Sequence, residues 1–170
     1  MTDAPHELKL FALDEEDLAV LSAHTQDALA PARDLTWLPK ERRFALMLSR
    51  FDWEGYASGR RERVMAGLHF NRVTRVSSTM IDRADPELLL ELLAISFEPG
   101  RAPSGAVILT FSGGPAIRLE VECVEAQMHD VGPRWAVNSC PDHPLDDAPD
   151  WLAATDAAGL PPLPGDRQGG

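Results

Sequence analysis

Residues 43–53, RFALMLSRFDW, and residues 61–70, RERVMAGLHF, decide the fold. In the first, Phe44, Leu46 and Leu48 alternate with Ala45, Met47 and Ser49. In the second, Val64, Ala66, Leu68 and Phe70 alternate with Met65, Gly67 and His69. A period of two puts each apolar set on one face of an extended chain, the pattern of a strand buried on one side. The link EGYASG at 54–59 carries turn-forming residues and reads as a loop.

The same pattern continues on both sides of this pair. DLTWLP precedes it and turns through PKER. VTRVSSTM follows, with Thr74, Val76 and Ser78 alternating against Val73, Arg75 and Ser77. After the acidic loop IDRADP, LLELLAISFEP is expected to place Leu93, Ile95 and Phe97 on one side. GRAPSG turns the chain, and GAVILTF presents Val107, Leu109 and Phe111. SGGP turns it again, and AIRLEVECV places Ile117, Leu119, Val121 and Cys123 inward with Arg118, Glu120 and Glu122 outward. These seven strands, mostly in hairpin order, predict an antiparallel sandwich or barrel.

Helices are expected at the two ends of this run. In ALDEEDLAVLSAHTQDALAP, Asp14 caps and Asp17 answers it, while Leu18, Leu21, Thr25, Ala28 and Leu29 keep helical spacing for about four turns, as far as Pro31. The acids Asp14, Glu15, Glu16 and Asp17 stand at the positive end of the helix dipole, which explains them without a metal. CVEAQMHDVG at 123–132 is read as two helical turns ending at Gly132 and Pro133. The fold class is therefore α+β: a mainly antiparallel β barrel or sandwich with an N-terminal helix and a short C-terminal helix. Strands followed by a helix make the order pleckstrin-homology-like, which is a fold analogy alone. Residues 1–34 form a helical segment packed on the domain, 35–135 the β domain, and 136–170 an acidic, Pro-rich tail expected to be mobile. Within that tail Asp150 can cap a short helix bearing Trp151 and Leu152.

At 170 residues with 44% apolar content, the chain can bury one core. Its net charge of −11 is unevenly spread. Positions 33–83 hold eleven basic residues against six acidic ones, and the remainder five against 21. The overall charge weighs against nucleic acid as a partner, while a segregated arginine surface suits an acidic protein or another anion. Two cysteines, Cys123 and Cys140, make no disulfide framework, and a reducing compartment is expected. MTDAPHELKL shows no secretion signal, and LLLELLAI at 88–95 is too short to span a bilayer, so the expected location is cytoplasmic.

Catalytic and cofactor motifs are weak. Cys123, His129, Cys140 and His143 lack the paired spacing of a structural zinc site, so no metal and no cofactor is expected. There is no GxSxG, and SGGP reads as a hairpin turn. No GxxxxGK[ST] is present to cradle phosphate. His69 with Glu120 and Glu122 would form an acid/base site only if their strands were adjacent.

The run LKLFALDEEDLAVLSAHTQDA, then LPKERRFALMLSRFDWE, LHFNRV and LLAISFEP, then LTFSGGPAIRLEVECVEAQMHD, resembles the alphaproteobacterial DUF2948 family of small proteins of unknown function. The resemblance covers about residues 7–135. It implies a bacterial cytoplasmic protein and brings no activity, catalytic residue or cofactor.

The sequence thus points to a non-catalytic binding or adaptor module with a protein partner. Its expected contact surface comprises Lys40, Arg42, Arg43, Arg60, Arg61 and Arg63, with Trp53 and Tyr56 as anchors, because Arg, Trp and Tyr dominate interface energetics. The alternative is a small enzyme or ligand-binding protein with a pocket near His69, Glu120 and Glu122.

Overall fold

The computed structural model describes residues 7–82 and 84–138. The paired runs form the centre of the sheet: β4 (Arg43–Phe51) and β5 (Glu62–Phe70) are antiparallel, with Phe44 opposite Phe70, Leu46 opposite Leu68 and Leu48 opposite Ala66. Every one of these six side chains is buried, as the alternation requires.

The strands before this pair are β1 (Lys9–Ala12), β2 (Leu29–Pro31) and β3 (Thr36–Leu38); those after it are β6 (Val73–Thr79), β7 (Leu89–Pro99), β8 (Gly105–Phe111), β9 (Ala116–Val121) and β10 (Ala126–Ala136). The order across the sheet is β1-β10-β5-β4-β2-β7-β8-β9-β6, with β3 paired to β4 beside this path. All pairings are antiparallel. Short β2 joins the two halves, since Leu29 pairs with both Ser49 and Glu91. One continuous core lies between them, with Phe44, Leu68, Phe70 and Met128 from the first half and Leu92, Leu109, Phe111 and Leu119 from the second.

Helix α1 (Glu15–His24) starts as expected: Asp14 accepts from the Asp17 amide at 2.8 Å, and the Asp17 carboxylate accepts from the Leu13 amide at 3.1 Å. It stops nearly two turns short of the expected end. The Asp27 amide donates to the Leu92 carbonyl and the Leu92 amide to the Ala28 carbonyl, so the sheet takes the backbone groups a longer helix would have used. Leu29 accordingly belongs to a strand.

Three other expectations are corrected. Residues 54–59 are not all loop, because α2 (Trp53–Ala57) forms there, capped by Asp52 accepting from the Gly55 amide. In β7 a register shift between Leu92 and Ala94 places Leu90, Leu92 and Ile95 inward and leaves Leu93 exposed. Most consequentially, the segment read as a short C-terminal helix becomes β10. Ala126, Met128 and Asp130 are buried while Gln127 and His129 are half-buried, a period of two that a helix could not satisfy between β1 and β5. Cys123 falls after β9 and is half-buried, with neighbouring Val124 entering the core instead. The helix suggested at Asp150 lies outside the described residues.

Candidate functional site

The residues of β4, β5 and β10 that miss the core form an outward face. Met47, Gly67, His69, Gln127 and His129 belong to it, and with Asp34 and Thr36 they line an open groove of about 320 Å³. Gly67 is its central vacancy: a Cβ built there would meet only the Met47 sulfur, at 3.6 Å. His69 pairs with Gln127 and Gly67 with His129, so the two histidines are diagonal neighbours across adjacent strands. Partial burial lowers the His69 pKa below its usual value, helped by the positive charge of Arg43 and opposed by Glu125, so its imidazole is neutral at pH 7. The His129 Nε2 lies 3.8 Å from the Glu7 carboxylate.

His69 therefore lines a groove, but without the acids the sequence grouped with it. Glu120 accepts from Arg118 Nε at 2.8 Å, Glu122 is paired with Arg42, and neither lines the groove. The acid that acts electrostatically on His69 is Glu125.

The arginine surface divides into two patches at opposite ends of β4, about 27 Å apart at ~3.4 Å per residue. At one end, Lys40 is exposed, Arg42 is held by Glu122, and Arg43 donates to the Asn71 side chain at 2.9 Å. At the other, Arg60 and Arg61 are exposed, with Arg60 4.0 Å from Glu62, while Arg63 donates to the Ser49 carbonyl at 3.0 Å. Trp53 is 2% exposed, donates its indole N–H to the Gln26 carbonyl and packs edge-on against Phe51, so it is placed inside the protein rather than on its surface. Tyr56 is half-buried against the same pair.

Beneath this second patch lies a buried ion cluster that sequence reasoning missed. Arg50 donates Nε and Nη2 to the two Asp130 oxygens at 2.8 and 2.7 Å. Asp130 also accepts from the Leu8 amide at 3.0 Å. Arg134 donates to Asp52 at 2.6 Å and to Glu62 at 3.3 Å. Burial would raise the Asp52 carboxyl, yet the Gly55 amide and the Arg50 and Arg134 guanidinium groups together hold it below its usual value. Arg134 is correspondingly raised: burial opposes its charge, and Asp52 and Glu62 outweigh that. The signal for Arg50 was present, since it continues the inward series Phe44, Leu46, Leu48. Asp130 was concealed by the helical reading of its segment.

Among the described residues, no group of three or more His, Cys, Asp or Glu side chains is arranged to hold a metal ion. Cys140 and His143 lie outside the described residues, so the four-residue combination cannot be placed. No helix among the described residues is long and apolar enough to cross a membrane.

No curated protein and no solved structure matches the chain. A family described as protein of unknown function (DUF2948) matches residues 8–143, a span that takes in every strand and helix among the described residues. The chain belongs to the DUF2948 family.

Proposed function

We propose that the protein is a non-catalytic, small-ligand-binding module whose seat is the groove over Gly67. The observation that carries this reading is the vacancy itself. A glycine stands mid-strand, where no backbone strain demands one, flanked by His69 and His129 and bordered on the β4 side by Met47. A thermal-shift panel of metabolites tests it: a compound that stabilises the wild type should lose its effect on Gly67→Val. Compounds that protect both proteins equally would place the seat elsewhere.

A second reading keeps the protein-partner surface on the arginine side. It is supported by the exposure of Arg60 and Arg61 next to each other, and it uses only the patch at that end of β4. Loss of a stoichiometric partner from a native pull-down on Arg60→Glu/Arg61→Glu supports it, and retention removes it. The cytoplasmic location and the pleckstrin-like analogy belong to the proposal as well. The analogy rested on a helix after the last strand, and nothing in either reading depends on it.

A further inference from the structure

We propose that the groove over Gly67 seats a flat heteroaromatic ring with N–H donors at its edge, a small molecule the size of a purine or an indole. This rests on the groove reading above and names the ligand class. The fold itself does not ask for glycine at this position. Gly67 is not among the positive-φ residues, and a side chain there would make ordinary contact with Met47. Glycine in the middle of a strand is less stable than alanine there, so open space is kept where stability favours a side chain.

The flanking residues define the shape of the occupant. Diagonal cross-strand neighbours stand about 7–8 Å apart. Both imidazoles can therefore reach one small group bound over Gly67, and a planar aromatic ring is the shape that stacks on them. From the β4 side, the Met47 sulfur offers the soft contact that aromatic rings favour.

The groove's polar atoms define the occupant's edge. Asp34 brings a carboxylate, Gln127 an amide and Thr36 a hydroxyl, so acceptors are available for N–H donors. Asp34 is the lining residue that carries formal charge at pH 7 beside two imidazoles, which disfavours a phosphorylated ligand. The neutral His69 ring agrees with stacking on an uncharged or weakly cationic partner. A metal held by the two histidines would need further protein ligands, and no such group of three is found among the described residues. The volume of about 320 Å³ lies at the lower end of small-molecule seats, which suits a single fused ring.

The full-length protein should be titrated with adenine and with tryptamine while the His69 and His129 ring resonances are followed by NMR, with cyclohexylamine as the non-aromatic control. Saturable shifts are expected at both histidines with at least one ring compound at millimolar concentration, weakened tenfold or more in Gly67→Val and in His129→Ala. The second variant keeps the test valid should the first fail to fold. Absence of shifts with both ring compounds, equal binding of cyclohexylamine, or unchanged binding by the folded variants overturns the ring assignment. If a non-aromatic compound from the thermal panel protects wild type but not Gly67→Val, the groove stands and only the ligand class falls.

Discussion

Arg50 on β4 and Asp130 on β10 meet across the intervening strand β5 in a two-pronged ion pair, each side chain 1% exposed. The strands they belong to are two sheet spacings apart, about 9.6 Å. The residues of β5 beneath them, Val64 opposite Arg50 and Ala66 opposite Asp130, are small enough to let the guanidinium cross. Removing one partner leaves a buried charge unpaired, at a cost of about 3–5 kcal/mol. Asp130→Ala should therefore lower the urea midpoint sharply, and it also strips the Leu8 amide of its acceptor. Replacing both ions, as in Arg50→Met/Asp130→Leu, should recover much of that loss. A double variant no more stable than the single one would show that the pair is not limited by desolvation.

Acid should weaken the fold in two separate windows. The His24 pKa is lowered, chiefly by burial; Arg50 works in the same direction, while Glu54, Asp130 and Asp52 oppose it. The unfolded chain then takes up a proton near pH 6.5 that the native state refuses, so stability falls as pH drops through 6.5 toward the folded value. His69 acts in the same direction for the same reason. Asp52, with its folded pKa depressed, contributes stability that is complete above its unfolded value near 3.8 and is lost as pH falls below it. Urea midpoints measured from pH 7.5 to 5 should decline in the wild type and decline less in His24→Gln/His69→Gln. An equal slope in both proteins would remove the histidines as the cause.

Alternation made the centre of this fold legible. Where a strand ran seven residues or more with one clean apolar face, as in β5 and β8, its extent and inward residues follow directly from the sequence, and β4 departs from this only at the inward Arg50. Short strands such as β2 and β3 give a period of two too few repeats to show, and β2 is defined by pairing with residues some twenty and sixty positions away. β10 was hidden for a chemical reason. Its inward face reads Ala126, Met128, Asp130, and a buried carboxylate looks polar until Arg50 is known to meet it. The groove was half legible: His69 stood out, but His129 reaches the same face only through the register of β10 on β5. The arginine cluster looked unified along the sequence because adjacency in a chain does not show that a nine-residue strand separates PKERR from GRRER.

Two strand glycines should respond oppositely to substitution. At Gly67 a Cβ makes only ordinary contact, at 3.6 Å, and the backbone is unstrained, so Gly67→Val should leave stability unchanged or raise it by about 0.5–1 kcal/mol. At Gly105 a Cβ would fall 2.5 Å from the Phe97 ring and 2.6 Å from the Glu98 carbonyl oxygen, where backbone cannot yield. Gly105→Val should cost about 1–3 kcal/mol, as overpacking does. Thermal melts of the two variants side by side decide the matter. A Gly67→Val protein destabilised as much as Gly105→Val would mean that the vacancy serves packing, which would remove the argument for a ligand seat.

The irregularity in β7 has its own support, and that support can be deleted. The register shift between Leu92 and Ala94 turns Leu93 outward, and the Ile95 amide donates to the Ser22 hydroxyl of α1 at 2.8 Å, within a buried contact. Helix α1 thereby anchors the bulge and fixes which of Leu92, Leu93 and Ile95 face the core. Ser22→Ala removes the acceptor while leaving the amide buried, a loss of about 1–3 kcal/mol for an unsatisfied donor. Ser22→Thr keeps a hydroxyl at the same atom and should retain more of the stability, since its added methyl is the only new demand. Hydrogen exchange at Ile95 should quicken in Ser22→Ala and remain slow in Ser22→Thr. Equal exchange in wild type and Ser22→Ala would show that the bulge holds itself through Leu92 and Asp27 alone, whose backbone bond of 2.8 Å lies just before it.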